Sequence, residues 1–141
     1  MDYQTILLPT DGSQCAGAAI DRAIALADRY DASLHALYVV DQGIGTLSEW
    51  DFVVERQEEE GETALDEVGR RAAAADVPLE KHLRRGVPED QILDFVGDHD
   101  VDLVVMGTCG HQGLERLQHA GSTTERVIRA SPVPVLVVPP P

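Results

Sequence analysis

Val101-Asp102-Leu103-Val104-Val105-Met106 closes on Gly107-Thr108-Cys109-Gly110, and Gly121-Ser122-Thr123-Thr124-Glu125 opens the next element. After a further turn comes Pro132-Val133-Pro134-Val135-Leu136-Val137-Val138. The first run is a β-branched strand of the kind buried on both faces. Ser122 to Glu125 has the form of a capping box, starting a helix that carries Val127 and Ile128. The last run, Val135 to Val138, is a second apolar strand. A strand, a helix and another strand in this order specify a right-handed crossover and two parallel strands.

The same alternation extends toward the start of the chain. Thr5-Ile6-Leu7-Leu8-Pro9 reads as a buried strand closed by the turn Thr10-Asp11-Gly12-Ser13. Ser13 is placed to cap a helix whose Ile20, Ala23, Ile24 and Ala27 recur at i, i+3, i+4 and i+7. Ser33 to Val40 forms the second strand. A long helix is expected from about Ser48 to Ala75, begun by the capping-box pattern Ser48-Glu49-Trp50-Asp51. The acids between Glu55 and Glu62 form its solvated surface. Pro78 to Leu83 is a weaker third strand near a sheet edge, and Pro88 opens a short helix with Ile92, Leu93 and Val96 inward. The expectation is α/β: a three-layer, open, five-stranded parallel sheet with helices on both faces, one domain over residues 1–141.

Bulk composition narrows the function classes. The chain has 141 residues, and 25 acids against 11 bases give a formal charge of −14. Such a surface disfavours nucleic acid and anionic lipid, which both require basic patches. Lys81 is the sole lysine. Many acids with almost no lysine suit a high-salt cytoplasm, where salt screens self-repulsion, or equally an acidic protein of a GC-rich genome. Met1-Asp2-Tyr3-Gln4 lacks a basic n-region and no apolar run approaches membrane-spanning length, so a cytoplasmic location is expected. Cys15 and Cys109 form no metal or Cys-x-x-Cys motif and are expected as free thiols, though both lie in loops at one edge of the sheet.

In an open parallel sheet, ligands bind beyond the carboxyl ends of the strands. Gly107, Gly110 and Gly113 allow close backbone approach there, and Gly121-Ser122 at a helix start offers free N–H groups and a favourable dipole for an anion. Ser122 and Thr123 add hydroxyl donors. These features describe a phosphate cradle. The alternative is a surface loop with glycines for turns and Ser122 as a cap only. No Walker sequence is present, which excludes a P-loop NTPase. Asp11 suits a ribose hydroxyl or a metal, or simply a turn.

Four segments in order resemble the universal stress protein (UspA) family, and specifically its ATP-binding branch. They are Ile6-Leu7-Leu8-Pro9-Thr10-Asp11-Gly12-Ser13, Tyr38-Val39-Val40-Asp41, Val104 to Gly110 with Gly121-Ser122, and Pro132 to Val138. The resemblance implies strand order 3-2-1-4-5 and a homodimer through the last strand, Val133 to Val138. It implies a nucleotide site of Pro9, Thr10, Asp11, Val39, Met106, Gly107, Gly110, Gly121, Ser122 and Thr123. In it Asp11 meets the ribose, the Val39 main chain holds adenine, and Gly121, Ser122 and Thr123 receive the phosphates. ATP, with Mg2+ or Mn2+, is the implied cofactor, and a stress-response sensor is the implied role, with an unidentified protein as a further partner. Ten residues, His111 to Ala120, separate Gly110 from Gly121, one more than the family spacing. The extra residue either bulges near Gln118-His119-Ala120 or displaces Gly121. Cys109 stands where many relatives carry histidine.

No catalytic constellation emerges: there is no nucleophile elbow, no assembled Ser-His-Asp order, and no second carboxylate set against Asp11. A response regulator is excluded because Asp11 stands alone, the third strand ends in Arg84-Arg85, and the fifth in prolines. Thr10 to Ser13 is too poor in hydroxyls for a flavin phosphate loop. No metal site is expected: His111 and His119 have no ligand spacing, and His35, His82 and His99 show no partner pattern. Trp50 and Phe52 either close over an adenine or pack into the core. The alternatives to a nucleotide sensor are a slow ATPase or phosphotransfer enzyme and a dimerising module with an empty pocket.

Overall fold

Ile6, Leu7 and Leu8 are buried to within 1% exposure on both faces of their strand, which places that strand at the centre of the sheet. The computed structural model describes residues 3–12, 16–41, 47–108 and 123–140, with the backbone alone for residues 47–54. Five strands, β1 (Thr5–Pro9), β2 (Ser33–Asp41), β3 (Leu79–Gly86), β4 (Leu103–Gly107) and β5 (Val135–Val138), form one parallel sheet in the order β3-β2-β1-β4-β5. Among the described residues four helices accompany it: α1 (Gly17–Tyr30), α2 (Leu47–Ala74), α3 (Pro88–Asp98) and α4 (Thr123–Ala130). Sheet order and fold class match the sequence expectation.

Period-2 alternation divides the core into two. Ile6, Leu8, Leu34, Ala36, Val40 and Val105 face α1 and α2, meeting Ala23, Leu65 and Val68. Leu7, Leu37, Val104 and Met106 face α3 and α4, meeting Ile92, Phe95, Val96 and Val127. Each fully buried aliphatic of this kind contributes about 1.5–3 kcal/mol relative to exposure.

Local boundaries differ from expectation in informative ways. Helix α1 begins at Gly17, with Ala16 as N-cap and no side-chain cap hydrogen bond. Ser13, expected as its cap, lies outside the described residues. Helix α2 begins at Leu47, so Ser48 sits inside it rather than at its cap. Strand β3 runs to Gly86, three residues past Leu83, because it pairs with β2 over its full length, from Leu34↔Leu79 to Asp41↔Gly86. Strand β4 starts at Leu103 rather than Val101. There the Asp102 carboxylate turns back and accepts hydrogen bonds from the Gln4 and Thr5 amides, both at 2.9 Å. That contact clamps the starts of β1 and β4 together. The Pro88 expectation holds: Pro88 occupies the first turn of α3 behind an extended Val87, with Glu89 and Asp90 complementing the dipole.

Candidate functional site

Strands β1 and β4 lie side by side, yet the chain leaves them in opposite directions. After β1 it enters α1 on one face; the helix following β4, α4, packs on the other. This is a topological switch point, and the divergence opens a crevice at the carboxyl ends. One lip is Pro9-Thr10-Asp11-Gly12 and the other is Gly107-Thr108.

The β1 lip is held by the backbone. The Thr10 amide donates to the Leu37 carbonyl at 2.9 Å, and the Gly12 amide donates to the Thr10 hydroxyl at 3.3 Å. Gly12 adopts φ +77°, and a Cβ there would sit 3.4 Å from the Ala64 Cβ and 4.0 Å from the Tyr38 ring. The turn is thus tucked under α2, and glycine suits both the dihedral and the space. Burial raises the Tyr38 hydroxyl pKa, and the nearby carboxylates of Glu60 and Asp11 add to the shift. On the β4 lip the Thr108 amide donates to the Val138 carbonyl at 3.2 Å. The Thr108 hydroxyl oxygen is buried and has no partner among the described residues.

The end of β2 completes the rim. Val39 is half-buried, and the Asp41 amide donates to the Gln57 side-chain oxygen at 2.9 Å, tying the strand end to α2. Met106 is 5% exposed with its side chain in the core beneath α3 and α4, so it can serve a ligand only through its main chain. Thr123 is the first residue of α4. Of the expected site residues, Pro9, Thr10, Asp11, Val39, Met106, Gly107 and Thr123 stand at carboxyl-terminal strand ends or at the start of α4. Gly110, Gly121 and Ser122 lie outside the described residues, as do Ser13, Cys15, Cys109, His111, His119 and the Trp50 and Phe52 side chains. A cleft of about 830 Å3 meets the crevice at Thr10, Asp11 and Gly12. It then runs between α1 and α2, walled by Arg56, Glu59, Arg70 and Arg71, and does not reach Val39 or Gly107. It is a groove adjoining the crevice, with Ala16, Ile20 and Ala64 in its lining beside the charged side chains.

Carboxylate, glycine turn and a buried hydroxyl without a partner among the described residues surround a backbone-lined opening.

Residues 2–139 match the family model for the universal stress protein family. The chain belongs to that family. It is 40% identical over 140 residues to universal stress protein MJ0531 of Methanocaldococcus jannaschii, covering 96% of this chain and 82% of that protein. Among solved structures, universal stress protein UspA from Lactobacillus plantarum superposes with a TM-score of 0.83 at 33% identity, covering 98% of this chain and 99% of that one. A universal stress protein in complex with cAMP does so with a TM-score of 0.73 at 28% identity, covering 98% of both chains. No helix among the described residues of this universal stress protein is long and apolar enough to cross a membrane.

A second polar group stands apart from the crevice. His35 of β2 and Glu80 of β3 are register partners, and His82 follows Glu80 on the same face. His35 Nδ1 lies 3.0 Å from His82 Nε2 and 3.3 Å from a Glu80 carboxylate oxygen. His99, just past α3, stacks on Phe95 at 3.9 Å, and its ring lies 5.6 Å from His35 and 5.4 Å from His82. Its Nδ1 is buried and has no partner among the described residues. Burial lowers the pKa of both His35 and His82; Glu80 opposes the shift in each, whereas neighbouring imidazoles, and Arg84 at His82, reinforce it. Linear spacing showed no partnership among these histidines because two strands and a helix terminus supply them. The available signal was Glu80 and His82 at i and i+2, which share one strand face.

Proposed function

We propose that this universal stress protein is a single nucleotide-binding unit that holds ATP, with Mg2+ or Mn2+, at the carboxyl ends of β1, β2 and β4, and acts in the cytoplasm as a homodimeric stress-response sensor. The observation that carries the reading is the crevice at the β1/β4 switch point, lipped by Asp11 and Gly12 on one side and Gly107 and the buried Thr108 hydroxyl on the other. A relative of the same fold bound to cAMP supports an adenine ligand. In this reading Asp11 accepts from the ribose, Val39 and Met106 serve through their main chains, and Gly107 and Gly110 admit the nucleotide closely. Gly121, Ser122 and Thr123 meet the phosphates at the α4 start, where N–H groups and the dipole favour an anion. The metal supplies charge neutralisation on the phosphates.

The dimer contact is assigned to the last strand, Val133 to Val138. β5 is an edge strand of four apolar residues with Leu136 38% exposed, and it lacks the charges that normally protect an edge from water and from aggregation. The acidic, lysine-poor surface suits concentrated salt.

The test is thermal unfolding in molar KCl with and without ATP–Mg2+, repeated on Gly121→Asp. Ligand at about 100 times its Kd stabilises by roughly 2.7 kcal/mol. We expect a shift of several degrees in the parent chain and none in the variant. No shift from ATP, ADP, AMP or cAMP would overturn the proposal and leave an empty-pocket dimer.

A further inference from the structure

The His35–Glu80–His82 group lies away from the crevice, on the α3 face of the β2/β3 pair, and the nucleotide reading makes no use of it. We propose that His35 Nδ1, His82 Nε2 and the Glu80 carboxylate bind one borderline divalent cation of the zinc class.

Geometry carries the proposal. The three ligand atoms form a triangle with edges of 3.0, 3.3 and 3.8 Å. Ligands about 2.0–2.1 Å from a tetrahedral ion are separated by roughly 3.3 Å, so the triangle is close to one face of such a tetrahedron. All three atoms lie within 4.8 Å of one another. A hydrogen-bonded cluster explains the arrangement less well. If His35 Nδ1 carries the proton, His82 Nε2 and the Glu80 oxygen both compete for it as acceptors. One donor then faces two sets of lone pairs, an arrangement a cation satisfies completely.

The backbone fixes the set in advance. Register pairs His35 with Glu80, and strand alternation puts His82 on the same face, so no loop closure is needed to assemble the ligands. Phe95 and His99 wall the inner side. His35 is almost wholly buried, while Glu80, with its side chain 71% exposed, leaves a path from solvent. The fourth position falls to water. The nearby positive group, Arg84, is paired with Asp98 at 3.4 Å and lies over the Phe95 ring, so its charge is partly met. Two imidazoles and one carboxylate select zinc, nickel or copper over magnesium or calcium, which prefer all-oxygen shells. The ion takes neutral imidazoles, with the His35 proton carried on Nε2, so any imidazolium must first lose a proton and uptake weakens as pH falls through the imidazole range.

The experiment is calorimetric titration of the chelator-treated, nucleotide-free chain with Zn2+, paired with the visible absorption of bound Co2+, which reports four-coordination. We expect one equivalent taken up at micromolar concentrations with a tetrahedral Co2+ band. Glu80→Gln, exposed and therefore neutral to folding, should weaken uptake about tenfold, and His82→Gln at least as much, if ligand losses match or exceed the 10–100-fold seen for outer-shell partners. The His111→Ala/His119→Ala and Cys15→Ser/Cys109→Ser variants should bind as the parent does. The proposal is overturned by absence of stoichiometric uptake, or by uptake that survives both Glu80→Gln and His82→Gln. Loss of uptake in the His111/His119 or cysteine variants, with the β3 variants unaffected, would likewise place the ion elsewhere.

Discussion

Replacing Gly61 and Gly97 by alanine, one at a time, should move stability in opposite directions. Both glycines are in helices, Gly61 within α2 and Gly97 near the end of α3. Alanine gains about 0.5–1 kcal/mol over glycine in a helix interior, chiefly from backbone entropy. At Gly97 nothing lies within 4 Å of the new Cβ, so that gain is expressed almost in full. At Gly61 the Cβ would meet Tyr38 Cδ1 at 2.6 Å and Leu83 Cδ1 at 2.7 Å. Leu83 is partly exposed and can turn aside. Tyr38 is 6% exposed and wedged between sheet and helix, so α2 itself must lift. Overpacking of this kind costs about 1–3 kcal/mol, which outweighs the helix gain and leaves Gly61→Ala roughly 0.5–2 kcal/mol less stable. For a chain of this length each kcal/mol moves Tm by about 2–4 °C. Thermal and urea unfolding in molar KCl read both variants, with the Gly97→Ala midpoint raised and the Gly61→Ala midpoint lowered. A raised midpoint for Gly61→Ala would refute the close packing of α2 on Tyr38.

Three further outcomes are open to direct measurement. Because burial lowers the His35 and His82 pKa values, the unfolded chain binds protons there first; stability should fall as pH drops from 6.5 toward the lowered native values, and His82→Gln should flatten that part of the Tm–pH curve relative to the parent. Arg71 joins α1 to α2 through the Gly17 carbonyl, Asp21 and Glu67, but is over a third exposed; Arg71→Met should cost about 1 kcal/mol or less in low salt, with the difference shrinking in molar KCl by urea titration. If the proposed β5 dimer forms, Leu136→Glu should convert it to monomer in sedimentation equilibrium while far-ultraviolet dichroism stays unchanged; a dimer that persists in the variant would move the interface off β5.

What could be read in advance divides along physical lines. Val101 to Met106 and Ile6 to Leu8 carried enough continuous apolar character to announce buried parallel strands, and the order of elements then restricted the winding. Helix starts were less legible. Ser48 has capping chemistry but sits one residue inside α2, which begins at Leu47, and α1 takes Ala16 as its N-cap with no side-chain hydrogen bond. Asp11, Gly12 and Gly107 could be placed beyond the carboxyl ends of β1 and β4 in advance, since they close or directly follow apolar strand runs. Thr108 was not legible, because what marks it is a buried hydroxyl without a partner among the described residues, which no linear pattern shows. The His35–His82 contact was hidden for a similar reason: 47 residues separate the two, and only the β2–β3 register brings them face to face.

The Asp102 clamp at the opposite end of the strands has a consequence for how this architecture tolerates change. Its carboxylate bridges the starts of β1 and β4, the same two strands whose far ends diverge to form the crevice. The sheet is therefore fastened like a hinged clip, closed at the foot and open at the mouth. Sequence drift in the mouth loops alters what is held without loosening the closure, whereas drift at the foot is felt as unfolding. An engineer wishing to graft a new recognition loop onto this scaffold would cut after Pro9 or Gly107 and leave Asp102 alone.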